Sequence, residues 1–165
     1  MSARTRAKAR KKKWRRYSRL AAKWKRLYHR AKAKIKPKPK AGQLSAHFNV
    51  REFHCHNGAK VPQAAYPALQ RLCRNQLEPM RAKFGACHVN SGYRTRAYNA
   101  SIGGASMSQH IYEDGPDSVA ADTTYAKGSA SEWAAYARRL SGVGGVGQYS
   151  SFVHIDNGPR RDWSG

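Results

Sequence analysis

The 165-residue sequence predicts an α+β fold: a small antiparallel sheet packed with helices, preceded by a basic amphipathic N-terminal helix. Apolar residues recur at three- and four-residue spacings over 14–28, 62–84 and 130–140, as on one face of a helix. Short strand candidates fall at 87–94, 120–125, 145–149 and 152–156. Helices and short antiparallel strands in this order make an α+β domain.

Charge divides the chain. There are 32 Lys and Arg against 9 Asp and Glu, a net charge of +23. Residues 1–42 hold 19 of the basic residues and no acid, which leaves 43–165 at only +4. The expected organisation is therefore a basic arm over 1–42 and a globular domain over 43–165.

Residues 1–13 are a basic run that can bury nothing. From Trp14 onward, Trp14, Tyr17, Leu20, Ala21, Trp24, Leu27 and Tyr28 form an apolar stripe with Arg and Lys between them. The KPKPK run at 36–40 ends that helix, because proline lacks the amide donor and restricts its predecessor. In the body, Ser45 is placed to cap a short turn, with Phe48, Val50 and Phe53 as anchors. Asn57-Gly58 marks a loop. The segment 62–84 reads as one helix, with Ala65, Leu69, Leu72, Cys73, Leu77, Met80 and Phe84 inward. Pro67 lies in its first turns, Pro79 interrupts its last, and Gly85 stops it. CHVNSGYR (87–94) reads as a strand running into a loop, and 101–121 as a Gly-, Ser- and Asp-rich loop. AADTTY (120–125) is a strand. The helix at 130–140 turns Trp133, Tyr136, Ala137 and Leu140 inward. GVGQY and FVHID close the sheet as a strand pair.

Cys55, Cys73 and Cys87 are odd in number and irregular in spacing, which suits buried or free thiols better than a disulfide framework. No stretch reaches the roughly 20 apolar residues of a membrane span. The basic N-terminus is followed by no apolar core of a signal peptide.

Metal-dependent hydrolysis needs about three protein ligands, commonly His and carboxylate, and an open position for water. His110 lies in a loop, Asp122 at the start of a strand, and His154 on an apolar strand. Alternation sends Val153 and Ile155 to the core and puts His154 and Asp156 on the other face.

SGYR (91–94), YN (98–99), GG-x-S-x-SQH (103–110), AAD (120–122) and GGVGQY-x-x-FVHID (144–156) occur in that order. Together they resemble the zinc D-alanyl-D-alanine carboxypeptidase family, peptidoglycan peptidases that include phage endolysins. The resemblance covers about residues 44–163. It implies Zn2+ held by His110, Asp122 and His154. It implies a substrate-carboxylate site at Arg94, whose planar guanidinium pairs with a carboxylate in two bonds. Ser108 and Gln109, beside the first ligand, are placed to orient substrate or ligand.

Two departures stand out. The family's usual spacing from the first histidine would select Asp117. The A-x-D context selects Asp122, with a loop insertion between. The acid that relatives carry three residues before the last histidine is Ser151 here. Asp156 is then the candidate catalytic acid–base, or else a group that orients His154. Glu113 and Asp114 are more distant candidates. His54 and His56 flank Cys55 without evident partners, and read as structural.

The implied function is cleavage of peptidoglycan stem peptides or cross-links at the bacterial cell wall. The implied cut is that of a D-Ala-D-Ala carboxypeptidase or of an endopeptidase, in a phage-delivered or virion-associated protein. The expected partners are peptidoglycan peptides and, through residues 1–42, an anionic envelope surface. Two rivals stand beside it: a non-catalytic wall-binding or virion protein that keeps the fold, and a nucleic-acid-binding protein acting through the arm.

Overall fold

The structure, a computed structural model, describes residues 14, 17–18, 20–27, 41–113 and 117–165. The chain divides into two units, Met1–Pro39 and Lys40–Gly165. In the first, Trp14, Tyr17, Ser18 and residues 20–27 take helical backbone. Trp14, Tyr17, Leu20, Trp24 and Leu27 are exposed. The basic run 1–13, Tyr28 and the 36–40 linker of the sequence reading lie outside the described residues.

The second unit is α+β. Its strands are β1 (Cys87–Ser91), β2 (Ala120–Tyr125), β3 (Gly145–Gln148), β4 (Val153–Asp156) and β5 (Arg161–Ser164). They form one sheet in the order β1-β2-β4-β3-β5. Only β3 and β5 run parallel; the other neighbours are antiparallel. Among its described residues the α-helices are α1 (Tyr66–Leu72), α2 (Glu78–Phe84), α3 (Arg96–Ser101) and α4 (Ala130–Ala137). Helix α4 packs on β3 and β4 and against α2. Between helices and sheet lies one core, including Leu69, Leu72, Leu77 and Met80 from the helical side and Val146, Val153 and Ile155 from the strands. Burying each such side chain contributes about 2 kcal/mol.

The segment expected as a single helix over 62–84 is built in pieces. A 3-10 turn (Gln63–Ala65) leads into α1, and a π turn (Cys73–Leu77) joins α1 to α2. Pro79 is the physical reason. It has no N–H, and its ring would strike the carbonyl of Asn75 in a regular helix. The wide turn accommodates it, and the Glu78 N–H bonds to the Cys73 carbonyl five residues back.

Ser45 does not cap a turn. Asn49 does, in a capping box with Glu52 at the 3-10 turn Val50–Phe53. Ser45 instead donates its hydroxyl to Glu78 at 2.7 Å. Helix α3, within a stretch left unassigned by periodicity, is started by the Thr95 hydroxyl, which accepts from the Tyr98 N–H. Strand β5 also has no apolar alternation; it is an exposed edge that pairs in parallel with β3. Cys55, Cys73 and Cys87 are free, the first two buried. Among the described residues no helix is long and apolar enough to cross a membrane.

Glu78 ties the opening of the body to α2. Besides Ser45 it accepts from the His47 N–H at 2.8 Å and contacts His47 Nδ1 at 2.7 Å. Burial would raise its pKa, but these hydrogen bonds outweigh burial and hold it below the ordinary value. A carboxylate with a depressed folded-state pKa adds stability above its unfolded pKa and loses it as pH falls through the folded value. Glu78→Gln should therefore cost about 1 kcal/mol at pH 7, and the cost should vanish near pH 3. Denaturant titration of both proteins at the two pH values checks this.

Candidate metal centre

The centre is built on one rung of the sheet. Register pairs Ser91 of β1 with Asp122 of β2, and Asp122 with His154 of β4. Cross-strand partners share a face, so the Asp122 carboxylate and the His154 ring meet with Asp122 Oδ1 2.9 Å from His154 Nδ1. His110 arrives from the loop before β2. Its Nε2 lies 3.1 Å from Asp122 Oδ1 and 3.2 Å from His154 Nδ1. All three residues are buried.

These three atoms form a nearly equilateral triangle and together could hold a metal ion. Tetrahedral zinc, with ligand bonds of about 2.0–2.2 Å, needs ligating atoms about 3.3 Å apart. The residues present fit it.

The far side of each ligand is also held. His110 Nδ1 lies 2.6 Å from the Gly92 carbonyl. A carbonyl can only accept, so Nδ1 carries the proton and Nε2 turns its lone pair to the centre. The same segment fixes the loop, because the Arg94 N–H donates to the His110 carbonyl at 2.8 Å. Gly92 itself lies against Phe53, where a Cβ would come within 2.7 Å of the backbone. His154 Nε2 faces Asp156 Oδ2 at 3.1 Å, leaving Nδ1 for the centre. Asp122 Oδ2 accepts from Arg94 Nη2 at 2.6 Å.

Charge follows the same layout. Burial pushes His110 below the ordinary histidine range against the pull of Asp122. For His154 the effect of burial is outweighed by the carboxylates of Asp122 and Asp156, and its pKa rises. Asp122 is held well below the carboxylate range, because the two imidazoles outweigh its burial. Asp156 is lowered too: burial is overcome by His154 and by the N–H groups of Gly145 and Gly158.

The structure thus brings His110, Asp122 and His154 together. Asp117 is elsewhere: it is exposed, and its carbonyl accepts from Arg71. Arg94 lies at the centre, but the atoms seen to act there grip protein groups, Nη2 on Asp122 and Nε on Ser91 at 2.9 Å. Asp156 is fully buried with both oxygens engaged, Oδ2 by His154 and Arg161, Oδ1 by the N–H groups of Gly145 and Gly158. Ser108 accepts from the His110 N–H at 3.3 Å, and Gln109 accepts from the Ser118 hydroxyl, so both shape the loop around His110. Ser151 is exposed. His54 accepts from the Val61 N–H, and His56 lies against Tyr98; among the described residues neither joins a metal group.

Sequence reasoning missed the Gly92 carbonyl, Arg161 and Trp163. The Trp163 ring lies 5.0 Å from that of His154. The signal available was the glycine spacing of GVGQ and the RR-x-W that follows Gly158-Pro159.

Buried His, Asp and His atoms, each braced from behind, form a group that could hold a metal ion, the arrangement a metal-dependent hydrolase needs. The chain matches the peptidase M15 family over residues 46–156 and belongs to that family, whose members are zinc-dependent. No curated protein matches the chain.

The geometry separates the two aspartates. Asp122→Ala should abolish tight zinc binding, whereas Asp117→Ala should keep it. Metal analysis of the purified variants, with His110→Ala as a second zinc-free reference, checks this; zinc retained by Asp122→Ala and lost by Asp117→Ala would reverse the assignment.

Proposed function

We propose that this protein is a zinc peptidase that cleaves peptidoglycan stem peptides or cross-links, acting at the bacterial cell wall as a phage lysis or virion-associated enzyme. The observation that carries the reading is the triangle of His110, Asp122 and His154 atoms, 2.9–3.2 Å on a side, within an M15 domain.

The chemistry that zinc supplies when bound is Lewis acidity toward water and an amide carbonyl. The protein's part is to aim and hold. Gly92 and Asp156 keep a proton on the outer nitrogen of each histidine. Arg94 holds the second oxygen of Asp122, and its remaining N–H groups are the ones to receive a peptide carboxylate. Asp156 acts as the orienting group for His154 in this reading, not as the proton shuttle, because its carboxylate is fully engaged behind the ring. Ser108 and Gln109 set the loop that delivers His110.

Ser151, where relatives carry an acid, favours a second reading: a wall-binding protein that keeps the metal centre without turnover. Defined muropeptides separate the two. The zinc-loaded full-length protein should release D-alanine or split a cross-link, read by product mass, and His154→Ala should give no product. Zinc-loaded protein that binds muropeptides and leaves them whole would select the second reading.

For the arm we propose contact with an anionic envelope surface. Its 19 basic residues without an acid, and the exposed Trp14, Tyr17, Leu20 and Trp24, support this. Deleting residues 1–42 should spare soluble-peptide cleavage and lower activity on intact walls, most at low salt, since such attraction is screened beyond about 8 Å at physiological ionic strength. Salt-sensitive binding to DNA with no binding to walls or anionic vesicles would instead assign the arm to nucleic acid.

A further inference from the structure

The rung that carries the metal centre does not stop at His154. Register continues it through Gly147 of β3 to Trp163 of β5. The neighbouring rung runs from Asp156 past Gly145 to Arg161. In both, the middle residue is a glycine, and in both the outer side chains meet across it. Trp163 reaches the His154 ring at 5.0 Å between centroids, and Arg161 pairs with Asp156 Oδ2. The glycines are required for space. A Cβ on Gly147 would lie 2.5 Å from the Trp163 ring, and one on Gly145 2.2 Å from Asp156 Oδ2. The indole is itself pinned. Its Nε1–H donates to the Tyr149 hydroxyl at 3.1 Å, and the Arg161 guanidinium lies over it at 5.7 Å.

We propose that β5 is a working part of the centre: Trp163 and Arg161 are positioning residues that fix the His154 ring, reaching over a strand left bare by Gly145 and Gly147. The inference rests on His154 being a metal ligand. It goes beyond the M15 match, which ends at Asp156, before β5 begins. Arg161 holds the carboxylate that holds the outer nitrogen of His154, and Trp163 closes off the ring's side. Together they limit the rotation that would carry Nδ1 out of the ligand triangle. Loss of partners one layer behind a metal ligand typically costs about 10–100-fold in metal affinity.

The experiment uses the full-length zinc protein and its cobalt(II)-substituted form. Trp163→Ala, Arg161→Ala and Gly147→Ala should each release zinc to a chelator roughly tenfold or more faster, and each should alter the visible cobalt spectrum. Gly147→Ala is the sharpest of these, since it leaves the indole in the chain and only displaces it. Trp163→Phe and Arg161→Lys should restore much of the retention. Asp162→Ala is the control. It breaks the bond pair from Arg138 that anchors the same strand, at 2.8 and 2.9 Å, without touching either rung. It should leave zinc release and the cobalt spectrum unchanged. Wild-type zinc retention and cobalt spectra in the three disruptive variants would overturn the proposal, as would Asp162→Ala releasing zinc as fast as Trp163→Ala. A wild-type protein that binds no zinc would overturn the metal centre itself, and this inference with it.

Discussion

The register between β2 and β4 is the constraint on which the rest depends. It sets Asp122 directly opposite His154. A slip of β4 by one residue would turn His154 to the core face and bring Val153 or Ile155 to the centre beside Asp122. The register is in turn enforced by what it buries: Ala121, Val153 and Ile155 belong to the core beneath the sheet. The hydrophobic effect therefore fixes the ligand geometry indirectly, one residue out of phase with the chemistry.

Closing three polar side chains inside a protein would cost several kcal/mol if they lacked partners. Here each inner atom has an outer counterpart. Gly92 serves His110, Arg94 serves Asp122, and Asp156 serves His154. Two of these come from the short stretch 91–94, which also threads against Phe53 through the Tyr93 N–H. That stretch is the bracket between the 3-10 turn, the His110 loop and the sheet. The SGYR motif thus has an architectural meaning as well as a chemical one.

How much of this was legible in the sequence varied with the source of the signal. Strands β2 and β4 and helix α4 could be read because their apolar spacing records one buried face. That Asp122 and not Asp117 stands beside His110 and His154 could be read because AAD sits inside a strand, whereas Asp117 sits in a loop. Helix α3 was hidden because a six-residue helix held by one threonine cap leaves no periodicity. The π turn at Cys73–Leu77 was visible only as an interruption at Pro79. Strand β5 was hidden most deeply: three of its four residues are polar, and its partner is brought alongside by the tertiary fold rather than by a hairpin. What Asp156 and Arg94 touch turned on which side of a ring or carboxylate they approach, and one-dimensional spacing does not record that.

The bare middle strand separates offering the atoms of the centre from steadying them. The side chains of the His-Asp-His group are confined to β2, β4 and one loop, while part of what steadies them is carried on an edge strand, three strands from Asp122. A change at position 161 or 163 can thus alter how stiffly the ligands are held without altering which atoms they offer. For protein engineering this makes β5 a tuning handle. Ligand exchange and metal preference could be adjusted from the rim of the sheet, with the donor set left intact.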